Sequence, residues 1–139
     1  MSGSPPPAPP LVLVVDDSPL VTEALGALLD AVGYRTATAH TVAEAVRAAR
    51  DLRPDALLLD LTLPDGEGLD VLGALGPTAE GRPAALALTG HDDPDTAARC
   101  LAAGCRAVLT KPVRGAALVR ALAEAGVAAG AAAGLRSGS

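Results

Sequence analysis

Three aspartates lie where a carboxylate is costly, beside or within apolar runs. Asp16 and Asp17 directly follow LVLVV, and Asp60 lies within LLLDL. A carboxylate removed from water loses solvation, and converging carboxylates repel one another unless a cation lies among them. Oxygen ligands with room for water suit Mg²⁺, so these aspartates predict a magnesium site. Asp17 and Asp60 would bind the ion directly and Asp16 through water, with the backbone carbonyl of Thr62 completing the protein's ligands.

Two further polar residues follow apolar runs and could act on a phosphoryl group. Lys111 supplies a positive charge that can pair with Asp60 and later with a phosphoryl oxygen. Thr89 supplies a hydroxyl donor to another phosphoryl oxygen. Phosphoryl transfer depends chiefly on positioning and charge neutralisation. A carboxylate nucleophile, one Mg²⁺, one lysine and one hydroxyl are therefore a sufficient set.

The elements that must position these residues alternate along the chain. Five short apolar runs suit strands, and five segments of helical period separate or follow them. Runs that are apolar throughout indicate parallel strands covered on both faces. We therefore predict an α/β fold, a three-layer sandwich with a five-stranded parallel sheet of the flavodoxin-like type. The expected strands are 11–15, 35–39, 56–61, 84–88 and 107–109, and the helices are 19–32, 42–50, 69–75, 94–102 and 114–125.

The polar residues follow or end strands one, three, four and five of this sheet, and strand two contributes none. Because ligands of open parallel sheets bind beyond the carboxyl ends of strands, strand two belongs at an edge and the order is 2-1-3-4-5. Taken singly, the residues have plainer interpretations. Asp60 could cap a turn, and Asp16 with Asp17 could form an exposed acidic turn.

Four stretches together resemble the signature of response-regulator receiver domains. They are LVVDDSP, LLLDLTLPDGEGLDVL, LALTG and AVLTKPV, in that order, and the resemblance covers residues 11–125. It implies that the peptide bond between Lys111 and Pro112 is cis. The roles that it implies are phosphoacceptor for Asp60, acidic pair for Asp16 and Asp17, switch hydroxyl for Thr89 and phosphate contact for Lys111.

The resemblance also implies a function, which is phosphoacceptor signalling rather than enzymatic turnover. A histidine kinase or phosphotransfer protein would phosphorylate Asp60, and the change would switch binding of a downstream protein or a second copy at the face of helix 4, strand 5 and helix 5. One residue departs from the family, which usually has Tyr or Phe where this chain has Val108. Because valine is short and stiff, we expect output through movement of helix 94–102.

Two other functions remain open from the residues. A receiver-like interaction module that works without phosphorylation would share the fold, although such proteins usually lack part of the acidic and lysine set. An aspartate-nucleophile phosphatase resembles D-x-D at the first strand, but Ser18 occupies the second aspartate position and 139 residues hold no cap domain. Incubation with acetyl phosphate and Mg²⁺ separates the three, because only a receiver forms a labile acyl phosphate without sustained turnover.

Composition favours one domain and argues against some partners. We expect a disordered Pro-rich leader at 1–10, the receiver domain at 11–125 and a flexible Ala/Gly-rich tail at 126–139. The net charge of −5 argues against direct binding of nucleic acid, which needs clustered basic residues. With no span of about 18 apolar residues and no secretory signal, we expect a cytoplasmic protein that does not bind membranes.

Overall fold

The strands form one parallel sheet with a small hairpin beside it. The structure is a computed structural model that describes residues 9–76, 83–90 and 93–129. The order in the sheet is β2-β1-β3-β6-β7, which is 2-1-3-4-5 when the hairpin β4-β5 is left out of the count, so the predicted fold and order are confirmed. The strands are β1 (Leu11–Val15), β2 (Arg35–Ala39), β3 (Ala56–Asp60), β4 (Thr62–Leu63), β5 (Gly66–Glu67), β6 (Ala84–Thr89) and β7 (Cys105–Thr110).

Five helices cover both faces of the sheet. Successive side chains of a strand point to opposite faces, so Val12 and Val14 join one apolar core while Leu13 and Val15 join the other. The first core contains side chains of α1 and α5, and the second contains side chains of α2, α3 and α4. Central strands are therefore apolar on both faces up to the residues at their carboxyl ends. The helices are α1 (Pro19–Ala31), α2 (Val42–Leu52), α3 (Leu69–Leu75), α4 (Pro94–Ala102) and α5 (Gly115–Glu124).

The edge strand β7 is longer than the sequence predicts. It begins at Cys105 and ends at Thr110, whereas the apolar run predicts only residues 107–109. An edge strand has one uncovered side, so it accepts exposed polar residues such as Arg106 that interrupt the apolar pattern. Within the described ranges, no helix is long and apolar enough to cross a membrane.

The described part of the predicted tail packs against the domain. Gly126 has a φ of 89°, which suits glycine, and its N–H donates to the carbonyl of Ala123. Val127 donates to the carbonyl of Leu122, which completes a Schellman end to α5. The buried hydroxyl of Tyr34 donates to the carbonyl of Val127 at 2.6 Å. Most of the predicted leader and tail, residues 1–8 and 130–139, lies outside the described residues, and the domain boundaries stay predictions.

A carboxylate in the β4-β5 turn stabilises the start of α2. The side chain of Thr41 caps this helix by accepting from the N–H of Glu44 at 3.0 Å. Asp65 accepts from the N–H groups of Val42 at 2.7 Å and Ala43 at 3.1 Å. These hydrogen bonds, with that of Val42 first, hold the pKa of Asp65 below its ordinary value. The segment that follows Asp60 is thereby fixed to α2.

We expect Asp65→Asn to lower the free energy of unfolding at pH 7, because it removes the charge that the first turn of α2 binds. The pKa of Asp65 is lower in the folded than in the unfolded chain, so its stabilisation is present above about pH 4 and is lost as the pH falls through the folded value. Urea unfolding from pH 7 to pH 3 should show the two proteins converging in stability. Asp51→Asn, which removes a charge near the other end of α2, should not lower stability at pH 7.

Candidate functional site

The predicted site residues converge at the carboxyl edge of the sheet. Asp16 and Asp17 follow β1, and Asp60 is the last residue of β3. These three offer carboxylate oxygens that lie within 4.8 Å of one another. Thr89 ends β6, and Lys111 follows β7. A pocket of about 460 Å³ is lined by Asp17, Asp60, Thr62, Thr89 and Lys111 together with residues of the hairpin and α4.

The ammonium group of Lys111 lies between two buried carboxylates. Its Nζ is 2.8 Å from Oδ2 of Asp16 and 3.3 Å from Oδ1 of Asp60. The sequence suggests that Lys111 pairs with Asp60 at rest, but the carboxylate of Asp16 is nearer. Asp16 is only 1% exposed, so its charge would be strongly destabilised without a cation beside it. The backbone N–H of Lys111 donates to the carbonyl of Thr89 at 2.7 Å, and the bond to Pro112 is cis, as the resemblance implies.

Burial and the neighbouring charges together raise the pKa of Asp60. Burial raises the pKa of Asp60, and the charge of Asp16 raises it further, while Lys111 opposes both. Burial lowers the pKa of Lys111, but its hydrogen bond to Asp16 and the charges of Asp60 and Asp16 outweigh burial and raise the pKa overall. Lys111 is therefore a cation. One cation is shared between two carboxylates, with Asp17 close to both, so this set of donors fits an additional divalent cation.

The two oxygens of Asp16 already have partners in the protein. Oδ1 accepts from the N–H of Ser18 at 2.9 Å, and Oδ2 accepts from Lys111. Ser18 in turn caps α1 by accepting from the N–H of Val21 at 3.4 Å. Both carboxylate oxygens of Asp16 thus accept hydrogen bonds from the protein, whereas Asp17 is exposed and lines the pocket. This difference suits the prediction that Asp17 is a direct metal ligand and Asp16 an indirect one.

Thr62 touches the acceptor through its backbone. Its N–H donates to Oδ1 of Asp60 at 3.3 Å. In the hairpin, Thr62 pairs with Glu67 across β4 and β5. Both residues line the pocket, which places the first residues after the acceptor at its wall. That the carbonyl of Thr62 binds metal stays a prediction.

A glycine that the sequence reasoning missed also fixes the acceptor strand. Gly68 precedes α3 in helical conformation, and a Cβ built on it would overlap the carbonyl oxygen of Asp60. Its N–H donates to the carbonyl of Leu61 at 3.0 Å. The chain after Asp60 therefore folds back so closely that position 68 has no room for a side chain. Its place directly before the helical pattern was the available signal.

Two charged residues at the wall of the pocket were also missed. Arg99 in α4 and Glu67 in β5 form an ion pair with Nη2 and Oε1 2.6 Å apart. Both line the same pocket as Asp60 and Lys111. They are 32 residues apart in the chain, and no local pattern links them. Only the fold brings them together.

Val108 is partly buried and packs against the core beneath α2, α3 and α4. The side chain that replaces the family's usual aromatic residue is thus held within the apolar packing. Its neighbours in that core include Ala87 of β6 and Cys100 of α4. The expectation that output travels through α4, with little rotation at Val108, stays a prediction.

Comparisons with known proteins agree with this geometry. Residues 12–123 match the family described as "Response regulator receiver domain". The chain is 41% identical over 102 residues to the "Transcriptional regulatory protein KdpE" of Mycobacterium tuberculosis, covering 73% of this chain and 44% of that protein. It is 36% identical over 133 residues to the "Sensor histidine kinase AruS" of Pseudomonas aeruginosa, covering 91% of this chain and 13% of that protein.

Solved structures show the same similarity. The chemotaxis protein CheY4 of Vibrio cholerae superposes with a TM-score of 0.77 at 26% identity, covering 84% of this chain and 98% of that one. This chain spans less than half the length of the curated relatives described above.

We expect Gly68→Ala to lower the free energy of unfolding by about 1–3 kcal/mol, because the new methyl group meets the backbone of Asp60. Displacement of that backbone should also shift the NMR signal of the Asp60 carboxylate. The matched control is Gly73→Ala within α3, where a Cβ meets nothing within 4 Å. There we expect a gain of about 0.5–1 kcal/mol, because alanine is the better helix former. Equal effects of the two changes in urea unfolding would contradict the close approach at position 68.

Proposed function

This chain belongs to the response regulator receiver domain family, and from that premise we propose that Asp60 accepts a phosphoryl group from a histidine kinase or phosphotransfer protein. A receiver is a phosphoacceptor signalling domain rather than an enzyme. The observation that carries the proposal is the position of Asp60, a buried carboxylate at a strand end with the Lys111 ammonium 3.3 Å away and two further carboxylates beside it.

Phosphoryl transfer here is one displacement at phosphorus. A carboxylate oxygen of Asp60 attacks the phosphorus of a phosphohistidine, and a P–O bond forms as the N–P bond breaks. The electron pair of that bond stays on the ring nitrogen of the donor, and Asp60 becomes an acyl phosphate. Lys111 moves from its resting carboxylates to a phosphoryl oxygen, and the hydroxyl of Thr89 donates to another.

The acidic cluster holds Mg²⁺ in this proposal. Asp17, Asp60 and the carbonyl of Thr62 are its protein ligands, and Asp16 acts through water. When bound, the ion neutralises the negative charge that gathers between the donor and the carboxylates. The proximity of the three carboxylates and the raised pKa of Asp60 both support a divalent cation at this position.

The phosphodonor protein docks on an apolar groove beside the site. This groove of about 530 Å³ is lined by the start of α1 and by residues 111–113. Leu20 is 79% exposed and lines this groove together with other apolar side chains, and a contiguous apolar surface of this kind is typical of protein-binding sites. Lys111 lines both the groove and the pocket, so a protein that delivers its histidine to Asp60 covers the groove as it does so.

Output uses the face of α4, β7 and α5, where a downstream protein or a second copy of the chain binds. Leu101 of α4 is exposed on the protein surface, as are Arg106 of β7 and Arg120 of α5. A mixed apolar and basic surface of this kind suits a protein partner with acidic residues. Because α4 contributes Thr96 and Arg99 to the pocket, a change at Asp60 reaches this face directly.

Acetyl phosphate with Mg²⁺ should label the wild-type chain, and Asp60→Asn or chelation of the metal should abolish labelling. Asp17→Ala should raise the Mg²⁺ concentration for half-maximal labelling about tenfold, the equivalent of about 1.4 kcal/mol. Intact mass spectrometry measures the acyl phosphate, and Asp51→Asn is the control of equal charge. Full labelling of Asp60→Asn would place the acceptor elsewhere. A folded wild-type chain that takes no label would favour the phosphorylation-independent interaction module.

Leu20→Glu should slow transfer from a phosphorylated histidine kinase that labels the wild-type chain, because the carboxylate would be desolvated at the interface. We expect a loss of about tenfold or more, as for a central interface residue. Labelling by acetyl phosphate should be unchanged, since a small donor does not use the groove. The control is Leu52→Glu at the end of α2, where the leucine is 48% exposed and lies outside the groove. Equal rates for both variants would exclude the groove as the docking surface.

A further inference from the structure

The ion pair between Arg99 and Glu67 lies at the wall of the phosphoacceptor pocket. We propose that Arg99 is a phosphate-binding residue that leaves Glu67 for the phosphoryl group once Asp60 is modified. This inference rests on the proposed function of Asp60. It gives the site a second phosphate-binding cation besides Lys111, supplied by α4.

The pair joins the two segments that follow the acceptor and the switch hydroxyl. Glu67 belongs to β5, seven residues after Asp60, and Arg99 belongs to α4, ten residues after Thr89. Their charged groups are 2.6 Å apart, and their side chains are 55% and 57% exposed. Both side chains line the pocket that contains Asp60. The pair therefore closes one side of the pocket while remaining in contact with water.

The backbone on the Glu67 side of the pair is held firmly. The N–H of Glu67 donates to Oδ2 of Asp70 at 2.9 Å, and Glu67 pairs with Thr62, which bonds to Asp60. Thr96, one turn before Arg99 on α4, also lines the pocket. The same face of α4 thus presents both residues to the site. The exchange therefore involves the two long side chains and α4, while β5 stays in place.

The charges of the pocket favour the exchange after phosphorylation. A phosphoryl group carries a charge of about −1.5 to −2 and presents three acceptor oxygens. Lys111 is already shared between Asp16 and Asp60 at rest, so it offsets only part of this charge. The guanidinium fork of Arg99 can donate two hydrogen bonds to phosphoryl oxygens. Exposed ion pairs contribute little to stability, so Glu67 returns to water at small cost.

The exchange would connect the pocket to the output face. Arg99 lies two residues before the exposed Leu101 on α4. Movement of the guanidinium toward Asp60 draws this helix toward the acceptor and away from the β4-β5 hairpin. Such a route needs no aromatic side chain at position 108, where this chain has valine.

Binding of beryllofluoride with Mg²⁺, measured by calorimetry, tests the exchange because this phosphoryl mimic occupies Asp60 without a donor protein. We expect Arg99→Ala to weaken binding about fivefold and Arg99→Lys to have an intermediate effect, since lysine keeps the charge but not the fork. Glu67→Gln should tighten binding about twofold, because it releases Arg99 and removes a negative charge. Arg50→Ala, which removes a surface arginine bonded to the carbonyl of Ala74, should change nothing.

The directions of these effects distinguish a transfer of Arg99 from Glu67 to the phosphoryl group from an ion pair that must stay intact. If the intact pair were needed, Arg99→Ala and Glu67→Gln would both weaken binding, and the exchange would be wrong. Glu67→Gln that binds no more tightly than wild type, or Arg99→Ala that matches Arg50→Ala, would overturn it as well. A wild-type chain that binds no beryllofluoride would instead refute the proposed role of Asp60 and this inference with it.

Discussion

The position of one ammonium group between two buried carboxylates is the constraint on which the site depends. Lys111 contacts both Asp16 and Asp60, and these residues belong to three different segments of the chain. Without the ammonium group, each buried carboxylate would carry an uncompensated charge, which is destabilising. Lys111 in turn stays protonated because both carboxylates lie beside it. One ammonium group neutralises two carboxylates only in part, which suits a site that receives a metal ion and then a phosphoryl group.

The parallel sheet brings these charged groups together. Parallel strands end at the same edge, so residues distant in sequence reach one pocket without a dedicated binding loop. The neighbouring segments then limit movement near the acceptor. Gly68 lets the chain return against the Asp60 carbonyl, and Asp65 fastens the turn to the start of α2. The proposed response of α4 to a change in charge fits this rigidity of the hairpin side.

Charge is distributed around the pocket according to exposure. The buried members, Asp16 and Asp60, are held by Lys111, while the pair of Glu67 and Arg99 stands in water at the wall. Buried partners are costly to separate, whereas exposed partners exchange readily. A signal that begins as added negative charge at Asp60 therefore acts most easily on the outer pair. The inner cluster serves the chemistry, and the outer pair is suited to reporting it.

The sequence by itself determined the fold class, the strand order and the convergence of five polar side chains at the carboxyl edge of the sheet. Apolar runs and the polar residues after them are local patterns, and a parallel sheet converts such patterns into position by a simple rule. The tertiary structure alone decided that Asp16 is the nearer partner of Lys111, that Gly68 meets the backbone of Asp60, and that Arg99 reaches Glu67. The two ion pairs join segments far apart in the chain, so no local pattern encodes their distances, and the contact at Gly68 depends on how the chain after Asp60 folds back. The full length of the edge strand β7 was missed for a related reason, because exposed polar residues such as Arg106 and Thr110 interrupt the apolar pattern from which strands are predicted.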